Sequence, residues 1–236
     1  MIFKKGRNKA LLTRCVAILA LCAILLPALS LPASAEVCRS VKTEKPQIAL
    51  TFDDGPHPRL TPRILEILAR YKVHATFFMI GKNVGDYPKT AAMVATAGHE
   101  IGNHTFSHVR LYGMSENRIR AELEECNLKI QEVCHVTPRY FRAPEGATDQ
   151  RMIRITNQLE TPVILWSVDT RDWECKNADL IVRRVLSSVK PGDIILMHDF
   201  IGQNSKTPEA LERLIPKLLA RGYELVTVGE LLESGS

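Results

Sequence analysis

The chain has 236 residues, is 45% hydrophobic and 24% charged, and carries a formal net charge of +5 at neutral pH. That composition is ordinary for a globular protein and excludes a disordered or fibrous chain, and the length suits one full-sized domain. Lys4, Lys5, Arg7, Lys9 and Arg14 account for the whole of the excess charge, and no acid lies among the first 35 residues. The rest of the chain is near neutral, so nothing in it asks for nucleic acid or an anionic polymer as partner.

Those basic residues open a targeting segment. An apolar run follows from Val16 to about Leu31, broken by Pro27 and Ser30, and Ala33-Ser34-Ala35 forms an A-x-A-like cleavage site. The run is shorter than the ~20 residues that a membrane-spanning helix needs. Residues 1–35 are therefore expected to be a cleaved export signal, leaving a mature chain without a membrane span that is secreted or held in the cell envelope. Cys15 and Cys22 leave with the signal. Cys38, Cys126, Cys134 and Cys175 remain, an even number that would permit one or two disulfides, and none has C-x-x-C spacing.

Residues 36–45 read as a short polar leader. From residue 46 to 236, apolar strand-like runs alternate with amphipathic stretches, with no repeat or linker between them, so this part reads as one domain. The strand candidates are Gln47–Phe52, Ala75–Ile80, Glu100–Asn103, Arg139–Arg142, Val163–Val168, Asp193–Met197 and Glu224–Val228. Helices are expected over Pro62–Tyr71 with Thr61 as N-cap, and over Lys89–Ala97, Ser115–Val133, Asp149–Leu159, Ala178–Ser188 and Pro208–Arg221. Seven strand-then-helix steps imply a parallel sheet, either closed as a barrel or open and doubly wound.

Unusual polar residues follow the C-terminal ends of these strands: Asp53 and Asp54 the first, His104 and His108 the third, Arg142 the fourth, Asp169 the fifth, His198 and Asp199 the sixth. In either architecture those ends meet at the ligand-binding edge. Adjacent carboxylates repel unless a cation or a proton intervenes, although Asp-Gly-Pro alone is also ordinary turn chemistry. His104 and His108, four apart, share a face if the segment is a helical turn and can then grip one metal ion. Two histidines with one carboxylate leave a coordination position open for water, the pattern of catalytic zinc, and also suit non-haem Fe(II). The other of Asp53 and Asp54 is then free to act as a base. His198 is a candidate general acid, and Asp169 is a candidate to orient it. His57, His74, His99 and His135 lack a partner at ligand spacing and read as structural, and Glu122, Glu124 and Glu125 read as a solvated helix face.

Five segments together resemble the polysaccharide deacetylases, carbohydrate esterase family four, including the nodulation-type chitooligosaccharide deacetylases. They are Thr51-Phe52-Asp53-Asp54-Gly55-Pro56, His104-Thr105-Phe106-Ser107-His108, Arg142-Ala143-Pro144-Glu145-Gly146, Asp169-Thr170-Arg171-Asp172-Trp173 and Leu196-Met197-His198, in family order. The resemblance implies an α/β fold, a distorted (β/α)7 TIM-like barrel in a single domain. It implies that Asp54, His104 and His108 hold a divalent metal, usually zinc or cobalt, with Asp53 as base and His198 as acid. It further implies that Arg142 orients Asp53 and Asp169 tunes His198. Pro144, Glu145, Gly146, Trp173 and Leu196 would border the substrate, with Trp173 and Leu196 walling the acetyl methyl. The expected reaction is hydrolysis of the N-acetyl group of an N-acetylated glycan, peptidoglycan or chitin oligomers, by a monomer. The family usually has an aromatic residue where Glu145 stands, a departure that bears on substrate preference. Two competing readings are a carbohydrate-binding protein that has lost catalysis and an Fe(II) oxygenase. The complete acid, base and ligand set speaks against the first, and the carboxylate beside the metal ligand against the second.

Overall fold

The computed structural model describes residues 37–202 and 204–235, so the expected signal segment lies outside the described residues. Six strands form one parallel sheet: β1 (Gln47–Asp53), β2 (Thr76–Met79), β3 (Glu100–Asn103), β4 (Val168–Asp169), β5 (Ile194–His198) and β6 (Glu224–Val226). Their order is β3-β2-β1-β5-β4, and β6 pairs the first residues of β1. Single parallel bridges continue the ring from Asn103 to Phe141 and from Phe141 to Val163, whose segment runs on into β4. The sheet thus curls into a distorted barrel in which Arg139–Arg142 and most of Val163–Val168, expected as strands, contribute isolated bridges only.

Cys38 bridges Ile164 and Ser40 bridges Asp193. Backbone hydrogen bonds from Cys38 to Val163, Leu165 to Cys38 and Val41 to Gly192 fix this segment. Part of the expected polar leader is therefore a piece of the barrel wall. Among the described residues, Cys38, Cys126, Cys134 and Cys175 are all free thiols.

Alternation along β1 explains the layering. Ile48, Leu50 and Phe52 pack outward with the helices into the larger core, beside Ile64, Leu68, Leu211 and Leu214. Ala49 belongs to a smaller inner core with Phe78, Ile164, Ile194 and Val226. Thr51 and Asp53, two and four residues further on, share that inward face and reach a polar centre.

The helices are α1 (Leu60–Tyr71), α2 (Gly81–Asp86), α3 (Pro88–Thr96), α4 (Glu116–Cys134), α5 (Gln150–Gln158), α6 (Ala178–Leu186), α7 (Thr207–Ala220) and α8 (Val228–Ser234). Sequence periodicity finds α1 and α3 to α7 within a few residues and misses α2 and α8, which are too short to show a period. Thr61 is not the N-cap of α1, which begins one residue earlier. His57 does the capping work: its Nδ1 accepts from the backbone N–H groups of Arg59 and Leu60 at 3.1 and 3.0 Å. Among the described residues no helix is long and apolar enough to cross a membrane.

Candidate active site

Parallel strands place their C-terminal ends together, and the register sets Asp53 of β1 directly beside His198 of β5. Asp53 Oδ1 accepts from Arg142 Nη1 at 2.7 Å. The Arg142 guanidinium is fully buried. It also donates to Thr51 Oγ1 at 2.7 Å and to the carbonyls of Ile164 and Leu165 at 3.1 and 3.0 Å, with its carbon 4.0 Å from the Phe78 ring centroid. A buried charge is tolerable only when paired and hydrogen-bonded, and these contacts supply both. They also fix Asp53 in one orientation, with Oδ2 3.9 Å from His104 Nε2.

Asp54 turns away from its neighbour through a left-handed backbone, φ 76°, a region Asp enters more readily than most residues. Its Oδ1 lies 3.3 Å from His104 Nε2 and 3.0 Å from His108 Nε2. His104 Nδ1 donates to the Arg142 carbonyl at 2.7 Å, which fixes the ring so that Nε2 faces Asp54. Partial burial works to raise the Asp54 carboxyl, but hydrogen bonds from His104 and His108 outweigh it and hold the group well below its ordinary range. The hydrogen bond to Asp54, working against burial, raises the His108 imidazole.

One ligand atom from each of Asp54, His104 and His108 lies within 4.8 Å of the others. Two imidazoles and one carboxylate make a donor set suited to a transition-metal dication, so the residues present fit the expected ion. The histidine segment is an irregular loop rather than the helical turn that the spacing suggests, with Thr105 and His108 both at positive φ.

Across the cleft stands His198. Its carboxylate partner is Asp172, not Asp169. Asp172 Oδ1 lies 2.7 Å from His198 Nδ1, and Oδ2 accepts from the His198 backbone N–H at 2.9 Å and from Thr207 Oγ1 at 2.6 Å. Asp169 is exposed and accepts from the Arg171 N–H at 2.8 Å. Arg171 has φ 50°, and the turn made there swings Asp172 back beneath His198. Burial opposes charge on the His198 ring, yet the hydrogen bond and charge of Asp172, with Asp53 and Asp54 beyond, raise it to about 9.

A cleft of about 480 Å³ joins these groups, lined by Asp53, Asp54, His104, His108, Glu145, Trp166, Asp169, Trp173, Leu196 and His198. Asp169 therefore keeps a place in the site, as a wall. Trp166, which sequence reading passed over, touches the position where a side chain on Gly146 would go, 2.8 Å from a virtual Cβ, so glycine is required there. Glu145, also at positive φ, pairs with the Arg110 guanidinium at the rim. Asp199 is buried behind the site; its Oδ2 accepts from Thr61 Oγ1 at 2.5 Å, its N–H donates to the Asp53 carbonyl, and its carboxylate fills the space beside Gly55.

The polysaccharide deacetylase family model matches residues 40–164. A peptidoglycan-N-acetylglucosamine deacetylase of Bacillus cereus is 39% identical over 187 residues, covering 78% of this chain and 87% of that protein. A chitooligosaccharide deacetylase of Azorhizobium caulinodans is 35% identical over 190 residues, covering 75% and 90%. Among solved structures, a family 4 acetyl xylan esterase from Clostridium thermocellum in complex with a cobalt ion superposes with TM-score 0.75 at 36% identity, covering 79% of this chain and 90% of that one. A family 4 pseudoenzyme from Bacillus anthracis superposes with TM-score 0.81 at 33% identity, covering 86% and 70%. With the motifs, the parallel barrel and the assembled cleft in agreement, the chain belongs to the polysaccharide deacetylase family of carbohydrate esterases.

Proposed function

We propose that the protein removes acetyl groups from N-acetylglucosamine residues of a glycan, with peptidoglycan and chitin-type oligomers as the substrate class, and that it needs a divalent cation to do so. One observation carries this reading: a three-ligand nest, Asp54, His104 and His108, shares one cleft with a carboxylate outside it, Asp53, and with an imidazole on its own buried aspartate, His198. The activities named for the two relatives support it.

A cation in that nest, zinc by the chemistry of the donor set with cobalt as an alternative, supplies Lewis-acid polarisation of the acetyl carbonyl and a more acidic water. The chain's own residues do the rest. Asp53, its Oδ1 tied to Arg142, takes a proton from the attacking water through Oδ2. The Glu145 backbone N–H is offered to the oxygen that gains charge as the carbonyl carbon becomes tetrahedral. His198, charged near neutral pH through Asp172, passes its Nε2 proton to the departing nitrogen as the C–N bond breaks. Acetate and a free amino sugar are the products. Trp173 and Leu196 line the cleft and would face the acetyl methyl, while Pro144 and Gly146 flank Glu145, which lines the same cleft.

The likeness to a pseudoenzyme makes a binding-only protein the second reading. Acetate release separates the two. The purified protein, loaded with zinc, is incubated with chitin oligomers and with peptidoglycan, with and without a chelator. Chelator-sensitive acetate supports the deacetylase; its absence from a folded, metal-loaded sample on every N-acetylated glycan overturns it. Export to the envelope or medium, and action as a monomer, complete the proposal.

A further inference from the structure

Glu122 lies on α4, in a run of acids that looks solvated, yet its side chain is 1% exposed. Its carboxylate reaches the loop that carries both histidines of the nest. Oε2 accepts from the Ser107 N–H at 2.9 Å and Oε1 from Ser107 Oγ at 2.8 Å, while the Glu122 backbone carbonyl accepts from the Phe106 N–H at 3.0 Å. Arg118, one turn earlier, donates to Oε1 at 2.7 Å and balances the buried charge.

The loop needs an external hold. Thr105 and His108 both adopt positive φ, a strained choice above all for the β-branched Thr105. His104 has its own anchor, the Arg142 carbonyl. His108 is more exposed, and its backbone N–H is held by Thr105 Oγ1 within the same loop. On the other side, the N–H groups of Gly81 and Lys82 donate to the carbonyls of Thr105 and Phe106. Ser107, immediately before His108, is fixed by Glu122.

The geometry points to Glu122 as a positioning residue for the cation nest: it sets how tightly the site holds its ion by fixing the Ser107–His108 backbone against Asp54. This inference rests on the cation reading above. Outer groups that orient metal ligands typically govern affinity by roughly 10–100-fold. Glu122→Gln preserves size but removes the charge and turns one of the two acceptors into an NH2 donor, so the Ser107 N–H is kept only if the Ser107 hydroxyl reverses to accept and the Arg118 contact is given up.

The test is zinc affinity of the purified protein, measured by competition with a chelating dye, beside the melting temperature with and without zinc. Wild type should bind zinc; if it does not, the cation reading itself fails, whatever Glu122 does. Given binding by wild type, Glu122→Gln should weaken affinity at least about 10-fold and shrink the zinc-dependent rise in melting temperature. A purely structural role would instead lower the zinc-free melting temperature and leave the affinity of the folded fraction unchanged, and that result overturns the inference. Should Glu122→Gln not fold, Ser107→Ala removes the Oε1 contact alone; it too must weaken zinc binding, and wild-type affinity there overturns the inference.

Discussion

His198 and Asp172 are joined twice: the carboxylate takes the ring at Nδ1, 2.7 Å away, and the His198 backbone N–H at 2.9 Å. The ring can neither rotate nor shift along β5 without losing a contact. An imidazole so held keeps its proton at neutral pH and presents Nε2 to the cleft, as a general acid for an amine leaving group requires.

Replacing Asp172 should therefore lower turnover, while replacing Asp169 should not do so through His198. We expect Asp172→Asn to reduce kcat by about 100-fold or more, within the usual range for general acid–base groups, and to move the alkaline limb of the pH–rate profile to lower pH. Asp169→Asn should leave that limb in place. A limb that moves with Asp169 and not with Asp172 would reverse the assignment.

The same pair predicts a pH dependence of stability. The folded-state pKa of His198 is raised from 6.5 to about 9, so the folded protein binds this proton more tightly than the unfolded chain. The stabilisation is complete below 6.5 and is lost as pH rises through about 9. Urea unfolding of the metal-free protein across that window should show declining stability. Asp172→Asn should flatten the decline.

Asp53 and the ligand histidines should separate cleanly. Asp53→Asn is expected to retain zinc binding while kcat falls by at least about 100-fold. His104→Ala should lose zinc binding and turnover together. Near-normal turnover of Asp53→Asn would remove it as the base.

Arg142 should matter to folding as well as to rate. Arg142→Met leaves Asp53 buried without its partner, and breaking a buried pair costs about 3–5 kcal/mol. Denaturant unfolding reads this directly. A loss below about 1 kcal/mol would show that Asp53 finds water or another donor.

The rim pair bears on substrate choice. Glu145 borders the cleft but is matched by Arg110, so the carboxylate repels anionic sugars less than its sequence position suggests. Arg110→Ala should expose that charge and lower the rate on anionic glycans relative to neutral chitin oligomers. Glu145→Tyr should raise the same ratio. Both ends of the pair are exposed, so effects of no more than about 5-fold are expected. An unchanged ratio in both variants would remove the pair from specificity.

Asp53, Asp54, His104 and His108 are readable in sequence because Asp53 ends a buried strand, Asp54 and His104 directly follow one, and His108 lies in the loop just beyond, and parallel strands bring such ends to one edge whatever the details. Alternation along β1 likewise announces its two faces. What lay beyond reach depends on turns and on distant packing. Asp169 and Asp172 are three residues apart, and only the reversal at Arg171 decides which one meets His198. Glu122 sits beside Glu124 and Glu125 in a helix whose periodicity does not reveal that one acid faces a loop and two face water. Residues 38–41 pair with segments more than a hundred residues away, so no local pattern marks them as barrel wall. Local chemistry and strand period thus determined which residues gather at the cleft; the tertiary fold decided which of them touch, because contacts at hydrogen-bond range depend on backbone turns that single-residue identity does not encode.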